Sequence, residues 1–307
     1  MHQVPACDPA QLVDAIAAFV AHKGGLDPAA VRGPVERAIH DLGEDSVGEL
    51  QTRLAQPSDA WSYYPRDPLA QRVHHVLASL VLRESPRISG QEHLDEIRGK
   101  AVVIVANHLS YSDANVIEVL LQQAGYGAVA ERLSVVAGPK VYSELSRRFS
   151  SLCFGTIKSP QNEAVSSGDA AMSARGVAKA ARQTIETAED RLRCGDALLL
   201  FPEGTRSRSA AMQRFLPGVA RYFETSNLWM LPIGISGTEH MFGIGEQKIG
   251  AAQITMAIGR PITVESIRVI TGTDRRAFVD RLGNEVAALL PLNYRGAYAT
   301  ADCRLDC

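Results

Sequence analysis

The chain has few cysteines and none of the spacings that cysteine-dependent folds use. Its 307 residues include five of them, at positions 7, 153, 194, 303 and 307. An odd number of scattered cysteines without a C-x-x-C pair indicates neither a disulfide framework nor a zinc site. We therefore expect reduced structural thiols and no bound metal.

Long apolar runs are missing as well. No uninterrupted run approaches the roughly 20 residues that a membrane-spanning helix needs. The opening segment, MHQVP, lacks the basic stretch and the apolar core of a secretory signal. These two absences predict a cytoplasmic protein that does not span a membrane.

The chain also lacks an excess of charge of one sign. Its formal net charge is −2, and charged residues make up 21% of the sequence. Proteins that bind nucleic acid usually carry a basic patch or a basic overall balance, so no nucleic-acid partner is expected. The hydrophobic content of 46% is typical of a globular protein with a full core.

Two different patterns meet near residue 85. Before that point apolar residues recur at helical spacing, as in Leu12, Ile16, Phe19 and Val20. The polar faces of these helices mix acids and bases, which favours packing in a bundle or against the next domain over a membrane-surface helix. From Pro86 onward short apolar runs alternate with helical patterns, as in α/β proteins. The sequence predicts a helical N-terminal region over 1–85 and an α/β domain over 86–307.

A histidine and a carboxylate follow the apolar run 101–106. His108 would lie at a strand end, where α/β folds place their chemistry, and Asp113 would lie in the first turn of the next helix. A hydrogen bond from the imidazole Nδ1 to Asp113 would leave Nε2 free to accept a proton. The chain has no G-x-S-x-G elbow, so the base must act on a water or a substrate hydroxyl. A structural histidine is the alternative.

A second polar block, FPEGTRS at 201–207, follows the apolar run 197–201. It displays the Glu203 carboxylate and the Arg206 guanidinium on either side of Gly204. Arginine is suited to bidentate capture of a phosphate group. A solvated loop with an Arg–Glu pair is the alternative for this block.

At these two blocks the chain resembles the glycerolipid acyltransferases. Residues 107–113 match the family motif N-H-x-S-x-x-D, and residues 201–207 match F-P-E-G-T-R-S at every position. Residues 231–233 are similar to its later V-P-I element. The resemblance extends from about Pro86 to Pro261, and it implies a mixed central sheet flanked by helices, as in glycerol-3-phosphate acyltransferases.

The resemblance implies an O-acyltransferase with no cofactor beyond its thioester donor, which is acyl-CoA or acyl carrier protein. His108 would be the general base and Asp113 would orient it. The acceptor would be a hydroxyl of a glycerol phosphate lipid precursor, with 1-acylglycerol-3-phosphate expected first and glycerol-3-phosphate as the alternative. Because a lysophospholipid acceptor lies in a membrane, a peripheral contact at the inner membrane face is expected.

The resemblance also implies a set of substrate-binding residues. Arg206 would hold the acceptor phosphate together with two lysines, and the glycine turn would aim it; the full set is Lys140, Lys158, Glu203, Gly204, Thr205 and Arg206. Residues 138–158 depart from the family's usual second motif, which leaves the acceptor open. A thioesterase or other hydrolase that uses the same His–Asp pair, and a lipid-binding module without activity, remain alternatives.

Overall fold

The computed structural model describes residues 9–43, 45–55, 63–82, 86–142, 145–160, 173–241 and 252–299. The α-helices in these ranges are α1 (Pro9–Gly24), α2 (Pro28–Leu42), α3 (Asp45–Ala55), α4 (Pro68–Val81), α5 (Asp113–Gln123), α6 (Gly127–Ala130), α7 (Pro139–Tyr142), α8 (Leu145–Ser151), α9 (Ala174–Arg193), α10 (Val264–Thr271) and α11 (Arg275–Ala288). The strands are β1 (Tyr63–Tyr64), β2 (Arg87–Ser89), β3 (Ala101–Ala106), β4 (Leu133–Ala137), β5 (Gly155–Lys158), β6 (Ala197–Leu200), β7 (Leu228–Ser236), β8 (Thr255–Ile258) and β9 (Ile262–Thr263).

Residue contacts group the chain into two compact units. The first comprises residues 1–84, 137–184 and 241–251, and the second comprises 85–136, 185–240 and 252–307. This grouping places residues 137–184 and 241–251 with the N-terminal helices. The division into domains at residue 85 stays a prediction.

The core of the first unit explains this grouping. Of the helix residues that the spacing placed inside, Ile16 and Val20 are buried and Phe19 is partly buried; Val31 and Val35 of α2 are fully buried. Phe149 of α8 and Leu152, which follows α8, belong to the same core cluster, and the Phe149 ring meets the Phe19 ring edge-on with a centroid separation of 5.4 Å. A segment that follows 60 residues later in the sequence thus completes the core of the N-terminal helices.

Two helices of this unit begin at aspartate caps. Asp27 accepts a hydrogen bond from the Ala29 N–H at the start of α2. Asp67, which is buried, accepts from the N–H groups of Leu69 and Ala70 at the start of α4. Each cap satisfies backbone donors that the first helical turn leaves unpaired.

One antiparallel strand pair in the first unit was not predicted. The short strand β1 lies beside β5, with Tyr63 opposite Ile157 and Tyr64 opposite Thr156. The sequence predicted a helical region here and did not indicate the strand at Tyr63 and Tyr64. Two residues give no detectable alternation, and this pairing is made with a segment that lies far along the chain.

The second unit contains a mixed sheet with the strand order β4-β6-β3-β7-β8-β2, and β9 pairs with β7. The pairs β3–β6, β3–β7, β4–β6 and β2–β8 are parallel, whereas β8 and β9 run antiparallel to β7. The helix α11 packs on β3 and β7, and the residues of α5 from Asp113 to Leu121 are all buried. The predicted mixed central sheet with flanking helices is confirmed.

The order of the strands determines where the polar blocks meet. Because β6, β3 and β7 are adjacent and parallel, their carboxyl ends lie along one edge of the sheet. His108 follows β3, Glu203 follows β6, and Thr238 follows β7.

Two of the five cysteines lie in the described ranges, Cys153 buried and Cys194 exposed, and these two form no disulfide there. Positions 7, 303 and 307 lie outside these ranges. None of the helices in the described part of the chain combines the length and the apolar character needed to cross a bilayer.

Candidate active site

The carboxyl ends of β3 and β7 are fixed to each other by one buried side chain. The Asn107 amide donates from Nδ2 to the carbonyl oxygen of Ile235 and accepts from the Ile235 N–H at Oδ1, both at 2.8 Å. Asn107 has no exposed surface. Since both halves of the amide are used, this residue fixes the relative position of the segments that follow the two strands.

The predicted pairing of His108 with Asp113 is present. The imidazole Nδ1 lies 2.8 Å from Asp113 Oδ2. The histidine side chain is 18% exposed, whereas that of Asp113 is fully buried. A proton on Nδ1 leaves Nε2 as the acceptor nitrogen, which is the tautomer that a general base requires.

Asp113 is held by four donors. Its Oδ2 also accepts from the backbone N–H groups of Leu109 and Ser110, at 2.7 and 2.9 Å. Its Oδ1 accepts from the Thr238 hydroxyl at 2.6 Å. This set of donors stabilises a buried carboxylate in a single orientation toward the imidazole.

The other side of the imidazole is covered by an aromatic ring. Phe201 stacks on His108 with a centroid separation of 4.4 Å and an interplanar angle of 23°. Phe201 is the first residue after β6, so the strand that leads into the second polar block also supports the base of the first. Stacking restricts rotation of the ring and leaves its Nε2 edge free.

Glu203 joins the two blocks through the backbone. One carboxylate oxygen accepts from the His108 N–H at 2.7 Å, and the other accepts from the Gln213 N–H at 2.8 Å. Burial raises the pKa of Glu203 from its ordinary value of 4.5 to about 7, although both N–H groups and the nearby imidazole favour the charged form. The contacts of Glu203 fit a residue that shapes the loop; direct contact with a substrate stays a prediction.

The loop after Glu203 turns back on His108. The Ser207 N–H donates to the His108 carbonyl oxygen at 2.8 Å, and Gly204 has a φ of 71°, in the left-handed region that favours glycine. Thr205 is exposed on this turn. The glycine therefore permits the turn that precedes Arg206, after which the backbone of Ser207 bonds to that of His108.

Arg206 lies over an aromatic residue of the first block. Its guanidinium carbon is 3.6 Å from the centroid of the Tyr111 ring. Within the described residues, no acidic side chain forms a salt bridge with this guanidinium. A stacked guanidinium keeps its N–H edge available for a planar anion such as a phosphate.

The two predicted lysines belong to the first unit. Lys140 lies in α7, and its side chain is outside the described part of the structure. Lys158 ends β5, is only 2% exposed, and places Nζ 3.8 Å from the Tyr64 ring centroid. Their proposed contact with an acceptor phosphate stays a prediction.

Sequence patterns missed three contributors to this site. Thr238 lies 125 residues after Asp113. Gln213 donates its backbone N–H to Glu203 and its side-chain amide to the Arg206 carbonyl oxygen. Tyr111 stands at a variable position of the first motif. A lone threonine after a strand carries no local signal, so only the topology of the sheet could have indicated it.

The two polar blocks thus meet at the carboxyl ends of parallel strands, with the His108–Asp113 pair in one block and Arg206 in the other. The family model described as Acyltransferase matches residues 85–236. Residues 85–236, which include His108, Asp113 and Arg206, belong to that family, and the resemblance to the glycerolipid acyltransferases is confirmed. Thr238 lies just after the matched segment.

Other comparisons complete the description. A crystal structure of the 1-acyl-sn-glycerophosphate (LPA) acyltransferase PlsC from Thermotoga maritima is similar over 91% of this chain and 96% of its own, with 17% identity and a TM-score of 0.46. No curated protein matches the chain.

Proposed function

We propose that this acyltransferase moves a fatty acyl group from acyl-CoA or acyl carrier protein to the free hydroxyl of 1-acylglycerol-3-phosphate. One observation carries the proposal. The backbone of His108 binds both ends of the second motif, through its N–H to Glu203 and through its carbonyl to the Ser207 N–H. A base and an anion-binding guanidinium are thereby held on adjoining segments, as transfer to a phosphate-bearing alcohol requires.

In the proposed reaction His108 Nε2 removes the proton of the acceptor hydroxyl as the oxygen attacks the thioester carbonyl carbon. The tetrahedral intermediate collapses, the C–S bond breaks, and the leaving thiolate takes the proton from the imidazolium. Asp113 stabilises the imidazolium through Nδ1 in between. Atoms balance without a covalent enzyme intermediate, and no cofactor beyond the thioester is used.

Arg206 supplies the positioning part of the proposal. A bidentate contact between its guanidinium and the acceptor phosphate would orient the hydroxyl toward His108. Lys140 and Lys158 are further candidates for the same phosphate. A lipid acceptor is reached at a membrane surface, so we propose peripheral contact with the inner membrane face for a protein resident in the cytoplasm.

Glycerol-3-phosphate is the second candidate acceptor, since it presents the same phosphate next to a hydroxyl. Hydrolysis of the thioester is the competing reaction, because the same His–Asp pair could activate water. Hydrolysis needs no anion-binding guanidinium, so Arg206, which stacks on Tyr111 of the motif that carries the base, favours transfer.

The test is product identification by mass spectrometry. The purified protein is incubated with long-chain acyl-CoA or acyl carrier protein and with 1-acylglycerol-3-phosphate, glycerol-3-phosphate or no acceptor. Diacylated glycerol phosphate in the first arm alone supports the proposal. Monoacylated product from glycerol-3-phosphate would move the assignment to the second candidate, and free fatty acid in all arms would replace transfer with hydrolysis.

A further inference from the structure

Thr238 is a fully buried hydroxyl in direct contact with the orienting carboxylate. Its Oγ1 donates to Asp113 Oδ1 at 2.6 Å, and the residue has no exposed surface. It belongs to neither of the polar blocks and follows the end of β7. The contact joins two segments separated by 125 residues.

The conformation of the turn that presents Thr238 depends on Gly237 and Glu239. Gly237 has a φ of 92°, and a Cβ there would approach the Gln253 carbonyl oxygen to 2.1 Å. A side chain at 237 would therefore move the turn. Glu239 accepts from the Gly237 N–H at 3.1 Å and from the Tyr294 hydroxyl at 2.5 Å.

The arrangement gives the two carboxylate oxygens of Asp113 separate tasks. Oδ2 accepts hydrogen bonds from the imidazole and from two backbone N–H groups, whereas Oδ1 accepts one from the Thr238 hydroxyl. Without that hydroxyl a buried carboxylate oxygen would lose its partner, which is costly and frees the group to rotate about χ2. The negative charge of the Asp113 carboxylate would also be less dispersed, so the carboxylate would stabilise the His108 imidazolium more strongly.

We propose that Thr238 is a positioning residue of this enzyme, completing a chain from His108 through Asp113 to Thr238 that fixes the orientation of the base. The inference rests on the proposed function in that His108 is taken to accept the substrate proton. This series of hydrogen bonds resembles that of a catalytic triad, but its third member is a neutral hydroxyl on the turn that follows β7.

The first test compares Thr238→Val, which keeps the shape of the side chain, with Thr238→Ser, which keeps the hydroxyl. We expect kcat to fall about tenfold or more in Thr238→Val, as for a buried charged group that loses one hydrogen-bond partner. The KM values for donor and acceptor should stay within about twofold of wild type, since Thr238 acts on the base and not on binding. Thr238→Ser should restore most of kcat.

The second test does not depend on activity. The imidazole of His108 is titrated by NMR with labelled histidine, and its signal is assigned from its loss in His108→Ala. His108 should titrate at higher pH in Thr238→Val than in wild type or Thr238→Ser. Glu203, whose pKa responds to His108 and Asp113, and Arg206 lie on the loop that bonds to the His108 backbone. Glu239, which is paired with His240, follows Thr238 on its turn. All of these charged groups are unchanged in the Thr238 variants.

A merely structural threonine gives a different pattern. Thr238→Val would then lower the thermal midpoint, but kcat per folded molecule and the His108 titration would match wild type, and the inference would be overturned. A folded but inactive wild-type protein would contradict the proposed function. The NMR titration of His108 would still decide whether Thr238 acts on the imidazole. In an Asp113→Ala background, Thr238→Val should cause no further loss of activity, because the hydroxyl acts through Asp113.

Discussion

The guanidinium carbon of Arg206 lies 3.6 Å from the centroid of the Tyr111 ring, so a residue of the second motif rests on a residue of the first. Tyr111 stands between His108 and Asp113 in the sequence. The motif that contains the proposed base, His108, therefore also supports the proposed phosphate-binding group, Arg206. This contact fixes the direction in which the guanidinium presents its N–H edge.

Loss of this support should weaken acceptor use. Tyr111→Leu removes the π face, and we expect the KM for the acceptor to rise about threefold to tenfold, with kcat and the KM for the donor nearly unchanged. Tyr111→Phe keeps the stacked ring and is the matched control. An equal rise of KM in both variants would assign the effect to the hydroxyl and not to stacking.

Removal of the Arg206 guanidinium should weaken acceptor use more than removal of the Tyr111 ring. In Arg206→Ala, kcat/KM for the acceptor should fall about tenfold to a hundredfold, as expected for a hydrogen-bonded ion pair with phosphate. Arg193→Ala is the control, since Arg193 is exposed on α9 and pairs with Asp190. Steady-state kinetics with varied acceptor at saturating acyl-CoA measures kcat/KM for the acceptor in both variants. If Arg206→Ala changes only the KM for acyl-CoA, the guanidinium serves the donor instead.

Gly204 should be hard to replace. Its φ of 71° strains any residue with a Cβ, and that Cβ would lie 2.4 Å from Leu216 Cδ1. Leu216 is 44% exposed and can turn away, so the backbone strain sets the cost. Gly204→Ala should lose about 1–2 kcal/mol of unfolding free energy and weaken acceptor use.

Gly218→Ala is the matched control for this change, because a Cβ there meets nothing within 4 Å and its φ is not left-handed. Urea unfolding monitored by circular dichroism compares the two variants with wild type. Equal stability of Gly204→Ala and Gly218→Ala would show that the loop adopts another conformation in solution.

The buried Glu203 should make stability depend on pH. Its pKa of about 7 in the folded protein lies above the ordinary 4.5 expected for the unfolded chain. The folded state therefore holds the extra proton between these values, and this contribution to stability is present below 4.5 and is lost as pH rises through about 7. The wild-type unfolding free energy should fall over this range relative to that of Glu203→Gln.

The comparison requires urea unfolding at several pH values from 4.5 to 8 for both proteins. Glu203→Gln removes the titration but places an amide N–H near a backbone donor, so its stability should be lower at every pH. The informative quantity is the slope of the difference between the two curves. Parallel curves would mean that Glu203 titrates near its ordinary value.

The sequence predicted the parts of this fold that have strong local patterns. The strands β3 and β6 lie where the apolar runs 101–106 and 197–201 indicated, because these segments are almost entirely buried. The short elements β1, β5, β9 and α10 were not predicted. Strands of two to four residues are stabilised by their partners and not by their own periodicity.

The same distinction holds for the site. His108, Asp113 and Arg206 come from two dense motifs, and the predicted hydrogen bond between the first two is present at 2.8 Å. Thr238 and the stack of Arg206 on Tyr111 depend on which strands are neighbours, and a single sequence does not reveal that. Glu203 was expected among the substrate-binding residues, but its two oxygens accept from backbone N–H groups.

The most direct test of the account measures the initial rate of thiol release from long-chain acyl-CoA with saturating 1-acylglycerol-3-phosphate in wild type and in His108→Ala. The account predicts acceptor-dependent release in wild type and a loss of at least about a thousandfold in kcat in a His108→Ala protein that remains folded. Acceptor-dependent release at near wild-type rate in folded His108→Ala would contradict it, because the proton of the acceptor hydroxyl would then have another base.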